Sequence, residues 1–177
     1  MLIGISGKRE VGKDTVADYL VEKYGFVKVP FALRLKYMAR QHGWDGQKDD
    51  RGRKLLQTLG QVWRTYREDY WSEKVLKYYE GEDDKLVISD VRYFNEYVSV
   101  KNLGGLIWRL QGTPRPEFNI DIDLHNSETD LDKLDIPAKG WLVVEADEHI
   151  WNDKEKGFDE LYKKVDSIMS ALHYSTN

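Results

Sequence analysis

The stretch GKREVGKDT, Gly7 to Thr15, narrows the choice of fold more than any other part of the chain. The spacing of Gly7, Gly12 and Lys13 fits the pattern G-x-x-x-x-G-K-[ST], in which backbone N–H groups turn inward around a polyphosphate. That pattern has a mechanism only between a strand and a helix, and both flanks comply. Leu2 to Ser6 is a short apolar run stopped by glycine, and from Lys13 the residues Val16, Tyr19, Leu20 and Tyr24 recur at helical spacing. Gly7, Arg9, Val11, Gly12, Lys13, Asp14 and Thr15 are therefore expected to form a triphosphate site. Loop amides and the positive helix end would meet the phosphates, with Lys13 reaching the outer ones as a point charge.

One position departs from the pattern: Asp14 follows the lysine where a hydroxyl residue is expected. A carboxylate is repelled by phosphate unless a cation lies between them, and Mg²⁺ is held by carboxylates, phosphate oxygens and water. Asp14 could bind such a metal, with the Thr15 hydroxyl beside it. Equally, Asp14 at the start of a helix could only complement the helix dipole, worth about 0.3–1 kcal/mol. Both readings stand at this point.

The rest of the chain alternates short apolar runs with helical periods. Phe26 to Val29 reads as a strand stopped by Pro30, and helices are expected from about Ala32 to Gln41, Arg51 to Arg67 and Trp71 to Tyr79. In the second, Leu55, Leu56, Leu59, Val62, Trp63 and Tyr66 fall at helical intervals, with Gly60 weakening the middle. Leu86 to Ser89 and Gly105 to Leu110 are unbroken apolar runs, as in strands buried on both faces, with a helix from Asn95 to Leu103 between them. Another strand over 141–145 and a closing helix over 158–172, with Leu161, Val165, Ile168 and Met169 inward, complete an α/β pattern in three layers around a parallel sheet. Residues 111–137 hold three of the four prolines and no sustained period, and read as a lid. A chain of 177 residues suits a single domain over 1–177.

Composition excludes several functions. Hydrophobic residues at 41% and charged residues at 33% are those of a folded domain, not a disordered chain. A net charge of -4 argues against a sequence-independent grip on a nucleic acid polymer, which needs surplus lysine and arginine. With no cysteine there is neither a disulfide framework nor a thiolate metal site. No apolar run is long enough to span a bilayer or serve as an export signal, so a cytoplasmic location is expected.

Further chemistry is expected where a strand ends beside the loop. Asp90 closes the strand begun at Leu86 and Arg92 follows, giving a carboxylate to orient a metal and a guanidinium to clamp phosphate. Arg34, Lys36, Arg64 and Arg67 bring positive charge from the intervening helices, and Trp63 and Trp71 offer flat faces for a base. Arg109 and Arg115 flank the expected lid, where cations would neutralise a transferring phosphoryl group. His125 is a weaker candidate, as a proton carrier or a loop hydrogen-bonding residue.

SGKREVGKDT, ALRLK, RKLLQTLGQVWR, DVRYFNE and HNSETDLD occur in an order that resembles the phage-type deoxynucleoside monophosphate kinases, members of the P-loop kinases. The resemblance covers most of the chain, and family members also carry GKD. It implies a P-loop kinase fold with acceptor-binding helices over about 31–80, and ATP as phosphoryl donor with Mg²⁺. The loop would hold ATP, Lys36, Arg64 and Arg92 would contact a deoxynucleoside monophosphate, and Lys13, Asp90, Arg92, Arg109 and Arg115 would serve catalysis. Animal-type phosphomevalonate kinases share a similar SGKRxxGKD loop, so a non-nucleotide acceptor stays open, as do a nucleotide-binding module without acceptor and a homodimer. The stretch LLQTLGQVWR favours the nucleotide family.

Overall fold

A computed structural model of the chain describes residues 1–77, 79, 85–112, 125–132 and 145–175. Strands β1 (Leu2–Ser6), β2 (Val27–Lys28), β3 (Leu86–Val91), β4 (Leu106–Gly112) and β5 (Glu148–Asn152) form one sheet in the order β2-β3-β1-β4-β5. Every pairing is parallel. Parallel neighbours need crossover connections, and helices α1 (Lys13–Tyr24), α2 (Leu33–Gln41), α3 (Asp50–Tyr66), α4 (Tyr70–Leu76), α5 (Phe94–Asn102), α6 (Asn126–Thr129) and α7 (Gly157–Ser175) lie among them.

Side chains that alternate along the strands divide the core between two faces. Ile3, Ile5, Val87, Trp108, Leu110 and Ile150 pack with Val16 and Leu20 of α1 and Leu161, Val165 and Met169 of α7. Leu2, Ile88, Val91 and Ile107 point the other way, against Val75 and Leu76 of α4 and Tyr97 and Val100 of α5. The result is the expected three-layer α/β architecture of a P-loop kinase. All five residues of β1 are buried, which is why its sequence shows no alternation.

The elements differ from the sequence expectations at β3 and β5. β3 continues past Ser89 to Val91, so Asp90 lies inside the strand. The strand expected over 141–145 falls outside the described residues except for Glu145. The fifth strand is EHIWN at 148–152, where only Ile150 and Asn152 are buried because β5 is the sheet edge. In α3, Leu55, Val62 and Tyr66, three of the apolar residues at helical intervals, are exposed, and the buried residues are Gly52 and Gly60. Gly60 is where α3 is approached most closely: its carbonyl accepts from Trp71 Nε1 at 3.1 Å, and a Cβ there would meet the Arg64 guanidinium at 2.9 Å and Leu35 at 3.3 Å. The residue that weakens the helix locally is the one that lets α2 and α4 pack on it. Among the described residues, no helix is long and apolar enough to cross a membrane.

Candidate active site

Between β1 and α1 the chain turns through Gly7 to Gly12, and this loop sits at the carboxyl end of the sheet where open α/β folds bind ligands. Gly12, with φ +104°, adopts a backbone conformation that L side chains rarely reach, and it starts α1 without a side-chain cap. Lys13 folds back over the loop: its Nζ donates to the carbonyls of Gly7 at 2.8 Å and Lys8 at 2.6 Å. The side chain is buried, and burial together with the nearby Arg92 guanidinium lowers its pKa from 10.5 to about 7, against the pull of Glu128, Asp14 and Asp90.

The loop forms one wall of a cleft of about 470 Å³. Arg9, Gly12, Lys13, Asp14 and Thr15 line this side, and Lys36, Arg64, Asp90 and Arg92 line the same space from α2, α3 and the end of β3. Residues as far apart in the sequence as Arg9 and Arg92 thus share one cation-rich cavity. Pro30, Phe31, Leu35, Leu56 and Tyr93 add an apolar wall.

Several of the carboxylates and cations here have defined partners. The two Asp90 oxygens accept from the N–H groups of Phe31 at 2.7 Å and Ala32 at 3.1 Å, so this carboxylate also ties the turn before α2 to β3. Asp14 pairs with Lys28 at 2.7 Å. Burial would raise its pKa, but the Lys28 hydrogen bond and the charges of Lys28, Lys48 and Lys36 outweigh that and hold it below the ordinary value. Burial lowers the pKa of Lys36 despite the attraction of Asp90.

Two glutamates that the sequence reading did not single out organise the guanidinium groups. Glu96, at the third position of α5, accepts from the N–H groups of Arg92 at 2.8 Å and Tyr93 at 3.2 Å, and its other oxygen accepts from Arg64 at 2.8 Å. Burial pushes the Glu96 pKa up, against the pull of Arg64 and the Arg92 N–H. The Arg64 guanidinium also lies 3.8 Å from the Tyr93 ring centroid. Glu128 of α6 pairs with the Arg92 guanidinium and accepts from the Arg9 N–H at 2.9 Å. Burial opposes the charge of Arg92, but Glu128 and Asp90 raise its pKa on balance.

The segment 125–132, within the expected lid, lies against the loop. Lys8 donates to the Glu128 carbonyl at 2.6 Å and to Asp132 at 2.7 Å, and Asp130 accepts from the Phe94 N–H at 2.6 Å, capping α5. His125 is the N-cap of α6, its Nδ1 accepting from the Ser127 N–H at 3.1 Å, and burial with nearby Arg64 lowers its pKa. It therefore serves as a loop hydrogen-bonding residue in this structure. The serine and glutamate of HNSE are the signal that could have drawn attention to Glu128.

Several expected site residues are not brought to the cleft. Gly7 and Val11 belong to the loop without lining the cavity. Arg34 is on the other side of α2, exposed beside Leu33 and Tyr37 in a second cavity, because Leu35 and Lys36 take the inward positions. Trp63 stacks on Tyr70 with centroids 4.8 Å apart, and Trp71 is buried in the core. Arg67 pairs with Glu73 at 2.7 Å. Arg109 is 3% exposed behind the loop, donating to Ser6 Oγ at 2.9 Å and lying 3.4 Å from Asp132. Inward strand position, not the cleft, determines its place. Arg115 and most of 111–137 lie outside the described residues.

The hydroxyl and carboxylate oxygens of Thr15, Asp14 and Asp90 line the same cleft as Lys13, a hard-oxygen set that suits Mg²⁺ held partly by phosphates and water. Among the described residues, no group of three or more His, Asp or Glu side chains converges as a self-sufficient metal site.

No family model matches the chain. A protein of Acanthamoeba polyphaga mimivirus named "Putative deoxynucleotide monophosphate kinase" is 32% identical over 164 residues, covering 74% of this chain and 82% of the viral protein.

Proposed function

The chain belongs to the deoxynucleotide monophosphate kinase family, and on that premise we propose that it transfers the γ-phosphoryl group of ATP to a deoxynucleoside monophosphate. The bond from the γ-phosphorus to the ADP oxygen breaks as a bond to an acceptor phosphate oxygen forms, leaving ADP and a deoxynucleoside diphosphate. The observation that carries this reading is the shared cleft: the phosphate loop with Lys13 on one wall, and Lys36, Arg64 and Arg92 on the other.

The acceptor oxygen is already ionised at neutral pH, so the residues need to align two anions and offset their repulsion rather than remove a proton. Lys13 meets the outer donor phosphates, and Arg92 stands where donor and acceptor charges adjoin. Lys36 and Arg64 hold the acceptor phosphate, with Glu96 fixing the Arg64 guanidinium at 2.8 Å. Pro30, Phe31, Leu35, Leu56 and Tyr93 provide the apolar surface for sugar and base. Asp14, Thr15 and Asp90 are the residues that would hold Mg²⁺, which neutralises charge on the transferring phosphoryl group when bound. Helices α2 to α4 make up the acceptor side, and the domain acts as a single unit.

The test is a panel in which ATP and Mg²⁺ are incubated with dGMP, dTMP, dCMP, dAMP or phosphomevalonate, and product is measured. Product from at least one deoxynucleotide is expected, and Lys13→Ala should lower turnover by at least about a thousandfold while keeping the melting temperature, since Lys13 is a buried charge. Transfer to phosphomevalonate alone, or normal turnover by Lys13→Ala, refutes the proposal.

A further inference from the structure

Asn152, the last residue of β5, lies outside the cleft lining and 141 positions from the loop residue it touches. It is 5% exposed, and its Nδ2 donates to the Val11 carbonyl at 2.9 Å. The neighbourhood is shaped to admit this amide. A Cβ at Gly12 would come within 2.7 Å of Asn152 Nδ2. One at Gly112, the β4 residue in register with Asn152, would lie 2.8 Å from the Asn152 carbonyl and 3.1 Å from the Val11 side chain. Two missing side chains therefore let the end of β5 reach the loop that leaves β1, across the end of the intervening β4.

The geometry points to Asn152 as a positioning residue for the phosphate loop. The peptide joining Val11 to Gly12 is trans and planar, so its C=O and N–H point in opposite directions. Holding the Val11 oxygen against Asn152 turns the Gly12 N–H away from Asn152, and Gly12 is part of the cleft wall. Asn152 thus aims a phosphate-binding amide that it never touches. Preorganisation of this kind raises affinity by sparing the ligand the cost of ordering the loop. The inference rests on the reading of this loop as the site of the donor's phosphates.

The experiment is calorimetric titration of wild type, Asn152→Ala and Asn152→Asp with a non-hydrolysable ATP analogue plus Mg²⁺, and separately with the deoxynucleoside monophosphate that wild type phosphorylates best. Loss of one orienting hydrogen bond is expected to weaken analogue binding about fivefold to tenfold in Asn152→Ala. Asn152→Asp keeps the shape but removes the donor, and should lose at least as much at neutral pH. Monophosphate affinity should stay within about twofold, because a single remote hydrogen bond has no partner on the acceptor side. Unchanged analogue affinity in both variants overturns the inference, as does a parallel loss for both ligands that follows the melting temperature. If neither variant folds, the Gly12 amide resonance of labelled wild type decides: it must shift on adding the analogue, and an unmoved resonance overturns the inference. Wild type that fails to bind the analogue at all instead removes the proposed function on which this rests.

Discussion

At the scale of single residues, Lys13 is held by two loop carbonyls and by burial, and its pKa of about 7 has consequences that can be measured. The free protein loses the Lys13 proton near neutrality, while a bound phosphate favours the charged form and raises the pKa again. Triphosphate binding is therefore expected to take up a proton above about pH 7 and to weaken as pH rises. Titrations in buffers of different ionisation enthalpy check this, and absence of uptake at pH 8 contradicts it. For stability the sign follows from proton counting. Between about pH 7 and 10.5 the unfolded chain binds the Lys13 proton and the folded one does not, so this group makes stability rise with pH across that window. Below pH 7 both states are protonated and the burial penalty is complete. Lys13→Met should remove that rise in a series of urea melts.

At the scale of elements, the start of α5 is the most heavily braced part of the site. Glu96 joins the N–H groups of Arg92 and Tyr93 to the Arg64 guanidinium of α3. Glu96 is 2% exposed and the Arg64 side chain 13%, so removing one partner leaves a charge with nowhere to go. Glu96→Ala is expected to cost about 3–5 kcal/mol in urea unfolding, and Glu96→Gln combined with Arg64→Met to recover most of it, because the glutamine oxygen can still accept from the Arg92 and Tyr93 N–H groups. A loss under 1 kcal/mol would show the pair to be solvated in practice. Much of this arrangement was legible beforehand where the signal is local. The loop between β1 and α1, the alternation of elements, and the placing of Asp90 and Arg92 at one strand end all follow from short-range patterns. What was not legible depends on packing. Arg34 and Lys36 are two positions apart on α2, and only the neighbouring helices decide which one enters the cleft. Arg109 reads as a cation near a lid, but alternation along β4 turns it inward to Ser6. The apolar residues of α3 mark a helix correctly but not its buried face, because glycine supplies the contact there.

At the scale of the molecule, the sheet order places β1 between β3 and β4, with β2 and β5 at the edges. The central strands are covered on both faces, whereas β2 contributes two residues, of which Val27 is 60% exposed. Amide exchange should therefore be slowest in β1 and β3 and at least about tenfold faster in β2, as expected when edge segments open without global unfolding. Uniform protection across the five strands would contradict that hierarchy. The hydrogen bond from Asn152 to Val11 spans most of the chain, and it sets the order in which competence is acquired. On a chain emerging from the ribosome the glycine turn appears well before its support, because Asn152 follows Val11 by 141 positions. The growing polypeptide is thereby kept from gripping nucleotide firmly until β5 has followed and taken its place in the sheet.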